Sequence, residues 1–108
     1  MKYIKFCLTL LFLFLCLSMP AQAPTSQDSV IIGKLRLANK LILANGHEQA
    51  YQLYFECAEA GNAVAMNAVG ILKQRGWGTV RDEAGSIEWF VNAANAGYAK
   101  AYFNLFNV

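Results

Sequence analysis

The chain has 108 residues, with nine Lys or Arg, seven Asp or Glu and a formal net charge of +2, and 56% of its residues are hydrophobic. This length is enough for one small domain. No run of basic residues forms the patch that nucleic-acid-binding proteins need, which excludes that class. Of three cysteines, only Cys57 lies outside the apolar N-terminal segment, so the chain is not a disulfide-stapled secreted scaffold.

The first 23 residues have the order of a secretory signal peptide. Lys2 and Lys5 give a positive start, an apolar run follows over residues 6–17, and the small residues Ala21 and Ala23 come at its end. The run is shorter than the roughly 20 residues that span a bilayer, which disfavours a permanent membrane helix. We therefore predict a signal peptide at residues 1–23 and a periplasmic or secreted protein.

Two features leave the processing of this segment open. Pro24 directly follows Ala23, and proline is a poor fit just after a scissile bond, whereas cleavage after Ala21 leaves Met19 in a small-residue position. If neither bond is cut, the segment stays as a membrane anchor. Lipid attachment at Cys16 is disfavoured, because no small residue precedes that cysteine.

The remaining sequence predicts a polar linker at residues 24–29 and a helical domain at residues 30–108. This domain contains no proline and no strand-like alternation of apolar and polar residues. Apolar residues recur at helical spacing, and Asn45-Gly46, Gly61 and Gly97 interrupt the pattern. The fold class is therefore all-α, with five helices near residues 30–44, 47–60, 63–75, 82–96 and 98–108.

The helical domain contains an internal repeat. Residues 57–63 (CAEAGNA) match residues 93–99 (AANAGYA), and the same offset of 36 residues relates Gly61 to Gly97. A fixed offset of this size is typical of solenoids, in which each unit buries its apolar face against its neighbours. Small residues allow close helix approach, and the two glycines are predicted to end helices in the left-handed conformation.

A larger ordered set of small residues, loop glycines, one Asp and one Trp resembles the Sel1-like repeat, a relative of the tetratricopeptide repeat, over residues 50–105. The set is Ala65, Val69, Gly70, Leu72, Gly76, Gly78, Thr79, Val80, Asp82, Trp89, Ala93, Ala94, Gly97 and Ala101. The resemblance implies a short α-solenoid of about two and a half antiparallel helix hairpins, used for protein–protein contacts in exported bacterial proteins. It implies no shared chemistry.

The sequence departs from the family pattern in three places. The alanine expected in the second helix is displaced, with Ala84 early and Gly85-Ser86 next. Phe106 stands where a glycine is expected after Leu105. The first unit has a short Asn45-Gly46-His47 turn in place of the long loop, so it resembles a plain tetratricopeptide hairpin.

The sequence predicts no catalytic residue, cofactor or metal. His47 is the only histidine, and metal or catalytic use would require partners, so we interpret it as an exposed loop residue. Cys57 aligns with Ala93 and is predicted to be a buried small hydrophobe, with a reactive thiol or mixed disulfide as the alternative. The Gly76-Trp77-Gly78 turn lacks the Lys and Ser/Thr of a phosphate-binding loop.

Candidate partner-binding residues come from the resemblance and from the C-terminal helix. The first helix of each pair is expected to line a concave face, with Arg36 as a weaker candidate there. Trp77 is interpreted either as core or as an exposed anchor. The Phe106 side chain is expected to dock on a partner or a second copy, or to fold back into the preceding groove. The full set of candidates is Met66, Asn67, Gln74, Trp77, Tyr102, Phe103 and Phe106.

The function these observations favour is a non-catalytic protein–protein interaction module outside the cytoplasm. We expect its partner to be a protein and not a nucleic acid. The C-terminal helix is also a candidate surface for self-association. Membrane contact is expected only through the signal segment. Two alternatives stay open: an immunity-type or inhibitory protein that binds one enzyme in the periplasm, and a membrane-tethered regulator if the signal is uncleaved.

Export is directly testable. A C-terminal reporter enzyme that works only outside the cytoplasm is expected to be active, because the leader directs secretion. Intact mass is expected to show a chain beginning near Gln22 or Pro24. Activity of a reporter that works only in the cytoplasm would contradict the prediction.

Overall fold

The computed structural model describes residues 26–107, which form five helices and no strands. The helices are α1 (Ser26–Leu43), α2 (His47–Glu59), α3 (Ala63–Arg75), α4 (Glu83–Asn95) and α5 (Lys100–Phe106). The all-α prediction is confirmed. None of these helices is both long and apolar enough to cross a membrane. The predicted signal peptide at residues 1–23 lies outside the described residues.

Helix α1 starts earlier than expected. It begins at Ser26, so the last four residues of the predicted linker form its first turn, and the linker boundary is corrected. Asp28 lies in this first turn, where a carboxylate interacts favourably with the positive end of the helix dipole. The polar composition that indicated a linker is therefore also compatible with an exposed helix start.

Two glycines end helices in the predicted conformation, and two polar side chains cap the helices that follow. Gly61 and Gly97 have φ angles of +94° and +98°, in the left-handed region that was predicted for them. The Asn62 side chain accepts a hydrogen bond from the Ala65 N–H and so caps α3. Asp82 caps α4 in the same way, because its side chain accepts a hydrogen bond from the Gly85 N–H at 2.9 Å.

Consecutive helices pack on one another through small side chains. The main core lies between α1, α2 and α3, and its buried members are Ala38, Ala50, Tyr54, Cys57, Ala58, Ala65, Val69 and Leu72. A second cluster joins α4 and α5 through Ala93, Ala94 and Ala101. Because alanine adds only a methyl group, these positions leave room for close packing of the helices.

Two polar contacts fix α1 against α2 at the edge of this core. The Tyr54 hydroxyl donates a hydrogen bond to the Asn39 side-chain carbonyl. The Lys34 ammonium pairs with the Glu56 carboxylate at 2.8 Å, and both side chains are largely exposed, so solvent screens this pair. The main attachment of α1 is therefore its apolar side, where Ile31, Leu35 and Ile42 pack on the core.

The contact between α3 and α4 depends on Gly70. Phe90 is fully buried, and a methyl group added at Gly70 would lie 2.6 Å from its ring. Such a distance is far below normal van der Waals contact, so only glycine at position 70 leaves room for this ring. Ser86, also fully buried, is the small residue one turn earlier on α4.

We expect Gly70→Ala to destabilise the protein by about 1–3 kcal/mol, because the added methyl group overpacks the Phe90 site. Gly33→Ala is the matched control, since Gly33 is also helical but an added methyl group meets no atom within 4 Å. This control should gain about 0.5–1 kcal/mol from helix propensity. The measurement is chemical denaturation of both variants.

A double-mutant cycle tests the cause. In a Phe90→Leu background the smaller side chain leaves space for the added methyl group. Gly70→Ala should therefore destabilise this variant by at least 0.5 kcal/mol less than it destabilises the unmodified protein. Sites that do not interact usually agree within about 0.5 kcal/mol. Equal costs of Gly70→Ala in the two backgrounds would show that the ring is not what excludes the methyl group.

Candidate functional site

The loop between α3 and α4 is anchored on the start of α2. Gly76 ends α3 in the left-handed conformation, and its neighbour Trp77 donates its backbone N–H to the Leu72 carbonyl at 2.9 Å. Gly78 has a φ of +75°, and a side chain there would overlap the His47 backbone carbonyl. Position 78 therefore requires glycine for both its conformation and its contact.

Trp77 connects this loop to two other side chains. Its ring stacks on the His47 ring, with centroids 4.8 Å apart and planes inclined by 7°. The Arg75 guanidinium lies 4.7 Å from the Trp77 ring centroid, within cation–π range. Trp77 also packs against the main core while remaining half-exposed.

His47 differs from its prediction. Its place at the start of α2 agrees with the predicted helix, but it was expected to be exposed and is half-buried, with its ring stacked on Trp77. No local sequence signal indicates this stacking, because the two residues are 30 positions apart. The pairing depends on how the α3–α4 loop returns to α2.

A shallow groove of about 730 Å³ opens beside this stack, and we call it the α2 groove. It is lined by Asn45, Gly46, His47, Glu48, Gln49, Gly76, Gly78, Thr79 and Val80. The first turn of α2 has no side-chain cap, because the residue before it is Gly46. The groove wall combines polar residues, such as Glu48 and Gln49, with the apolar Val80.

The three candidates on α3 are less exposed than predicted. Asn67 is only 7% exposed and accepts a hydrogen bond from the Asn104 side-chain amide at 2.7 Å, so its predicted role as an outward binding residue is wrong. Met66 is half-buried and packs against both core clusters. Gln74 is half-buried. For Asn67 and Met66, the 36-residue register did not account for contacts with α5 and with the core.

The three candidates on α5 are exposed, and we call them the α5 aromatic surface. Tyr102 is 61% exposed, Phe103 71% and Phe106 92%. On the opposite side of the helix Ala101 is fully buried, and Asn104 binds Asn67. Positions 102, 103 and 106 share one side of a helix, so the three rings form one patch.

A second exposed apolar face lies on α1, and the sequence analysis did not identify it. Val30, Gly33 and Leu37 follow one another at helical spacing on one side of α1, and all three are exposed. We call this set the α1 stripe. The sequence feature that could have indicated this face is Gly33. A glycine inside a helix lowers stability by roughly 0.5–1 kcal/mol relative to alanine.

Cys57 is in a structural position. It is 1% exposed, and its thiol donates a weak hydrogen bond to the Ile31 carbonyl at 3.9 Å. Burial raises the pKa of this thiol above its ordinary value, which disfavours the reactive thiolate. Across residues 26–107, no three His, Cys, Asp or Glu side chains are grouped so that they could hold a metal ion.

Comparisons with protein-family models, with curated proteins and with solved structures find no match for this chain. The resemblance to Sel1-like repeats therefore stays a prediction from the residues named above. Any functional interpretation depends on the chain's own geometry.

The buried ionisable groups predict an alkaline loss of stability. Burial raises the pKa of Cys57 above 9.0 and that of Tyr54 above 10.0. Above these ordinary values the unfolded chain releases protons that the folded chain retains, so the free energy of unfolding falls as pH rises. Denaturation curves between pH 8 and pH 11 should show this decline.

Cys57→Ala should make the decline smaller, beginning at about pH 9, because it removes the first group to titrate. The comparison uses the slope of stability against pH, since the substitution also removes packing. Identical slopes for the two proteins would contradict a titrating Cys57.

Proposed function

We propose that this chain is a non-catalytic protein-binding module, built as a short Sel1-like solenoid of helix hairpins and acting outside the cytoplasm. The stacking of consecutive helices through alanines, with a repeat of 36 residues, supports the solenoid. The positive and apolar N-terminal sequence supports export.

The observation that carries the binding role is the exposure of the α5 aromatic surface. Phe103 and Phe106 are apolar, large and mostly in contact with solvent. Contiguous exposed patches of this kind usually mark an interaction site, and aromatic residues are prominent among those that dominate binding energy. Tyr102 adds a hydroxyl at the edge of the patch.

The groups that could support catalysis have other roles in this fold. His47 stacks on Trp77, and Cys57 is buried with a raised pKa. Asp82 caps α4. An acyl- or group-transfer site needs a nucleophile, a general base and an orienting group within mutual reach. These roles support a binding protein rather than an enzyme.

The test compares variants of an affinity-tagged chain expressed in its native host. Phe103→Ser with Phe106→Ser should remove the α5 aromatic surface, whereas Leu43→Ser removes an equally exposed apolar side chain, 87% exposed, at the end of α1. A partner that depends on aromatic anchors should bind the double variant about 30-fold more weakly, which corresponds to about 2 kcal/mol. Quantitative co-purification, then titration with the purified partner, gives the ratio.

The Leu43→Ser control should bind as the unmodified chain does. Equal loss in the control and the double variant would indicate a general effect on folding, which circular dichroism would detect. Unchanged binding by a folded double variant would contradict a binding role for α5.

A further inference from the structure

Helix α5 is held on the rest of the fold by little apolar burial. Its one fully buried residue is Ala101, which packs with Ala93 and Ala94 of α4 and buries little more than a methyl group. Leu105 is half-buried, and the three rings of the α5 aromatic surface are exposed. By contrast, α4 buries the whole Phe90 ring against α3. Because apolar stabilisation scales with the area removed from water, α5 is held much less firmly than α4.

Helix α5 also has little helical stability of its own. It is seven residues long, and isolated helices shorter than about 12–15 residues are marginal in water. Ala99 precedes it and provides no side-chain cap. The helix therefore depends on its contacts with α3 and α4, so that detachment and loss of helical structure occur together.

A polar pair links α5 to α3. Asn67 on α3 is almost fully buried, and its side-chain carbonyl accepts a hydrogen bond from the Asn104 amide at 2.7 Å. Asn104 is only half-buried, so water can replace its partner, whereas Asn67 depends on Asn104 as long as α5 covers it. A buried amide without a partner is unfavourable, and it regains water when the covering helix leaves. The pair therefore decides how readily α5 stays attached.

The turn before α5 has the properties of a hinge. Gly97 has a φ of +98°, and a methyl group added there would meet no atom of the described residues within 4 Å. The N–H groups of Gly97 and Tyr98 bond to the carbonyls of Ala94 and Ala93, in the last turn of α4. Two backbone hydrogen bonds and a glycine conformation thus fix this turn, with no side-chain packing at position 97.

We propose that α5 is a latch that opens separately from the rest of the fold. It detaches from α3 and α4 by movement about Gly97 while α1 to α4 stay folded, and the hydrogen bond between Asn67 and Asn104 holds it closed. Opening disperses the α5 aromatic surface, so the latch controls whether the three rings are presented as one patch. This motion goes beyond the proposed function and does not depend on the identity of a partner.

The test is hydrogen exchange of backbone amides, followed by NMR on the full chain in the form in which cells produce it, with its intact mass recorded. Amides of residues 104–106 in α5 should be at least about tenfold less protected than those of residues 90–94 in α4. Low concentrations of urea should accelerate exchange in α4 but hardly change it in α5, because opening of α5 exposes little surface.

Leucine substitutions test the latch, because leucine has nearly the shape of asparagine. Asn104→Leu leaves Asn67 buried without a partner, so α5 amides should lose protection by roughly fivefold or more while α4 amides keep theirs. Adding Asn67→Leu removes the unpaired amide and should restore the protection of α5. Asn92→Leu changes an exposed asparagine of α4 and serves as the control that should leave α5 unaffected.

Alanine substitutions test the hinge. Gly97→Ala places a side chain at a positive φ, which opening relieves, so protection should fall roughly fivefold in α5 alone. Gly61→Ala is the matched control, since Gly61 has a φ of +94° and equally open surroundings. Its turn joins α2 and α3, which share the main core, so Gly61→Ala should lower protection in those helices by destabilising the whole fold.

Three results would overturn the proposal. Equal protection and equal urea dependence in α4 and α5 would show that α5 opens only when the chain unfolds. Unchanged α5 protection in Asn104→Leu would remove the hydrogen bond as the latch. A loss of protection in Gly97→Ala that extends equally through α4 would place the hinge elsewhere. The co-purification experiment decides the proposed function separately in each case.

Discussion

Phe90 packs against the bare backbone of Gly70 more closely than any side chain at position 70 would permit. This contact sets the separation of α3 and α4, and α4 in turn supplies Ala93 and Ala94 for the attachment of α5. On its other side α3 places Ala65 and Val69 in the core shared with α1 and α2. The position of α5 relative to the main core therefore depends on the separation of α3 and α4, which the missing side chain at position 70 allows to be small.

The helix boundaries were predictable because they depend on local chemistry. Asn62 and Asp82 cap the helices that follow them, and Gly61 and Gly97 adopt the left-handed conformation with which helices commonly end. Each of these features involves residues within four positions of one another. The start of α1 was misplaced because polar residues at a helix N-terminus and in a linker have the same composition.

The side-chain environments were less predictable because they depend on which helices meet. Asn67 was expected to face solvent, but α5 covers it and supplies Asn104 as its hydrogen-bond donor, 37 positions along the chain. The stacking of His47 on Trp77 has the same origin, since the α3–α4 loop brings them together. A repeat register locates the face of a helix, whereas exposure depends on the length and path of the next segment.

The two helical glycines, Gly33 and Gly70, show the difference between what local sequence predicts and what contacts between helices determine. Both cost helix stability relative to alanine, and the sequence alone treats them alike. At Gly70 the Phe90 ring offsets that cost, because burial of a phenyl group is worth more than the helix propensity lost. At Gly33 an added methyl group would meet no atom of the described residues within 4 Å, so residues 26–107 offer no contact that offsets the cost. Val30 and Leu37, which flank this glycine on the same side of α1, are exposed as well.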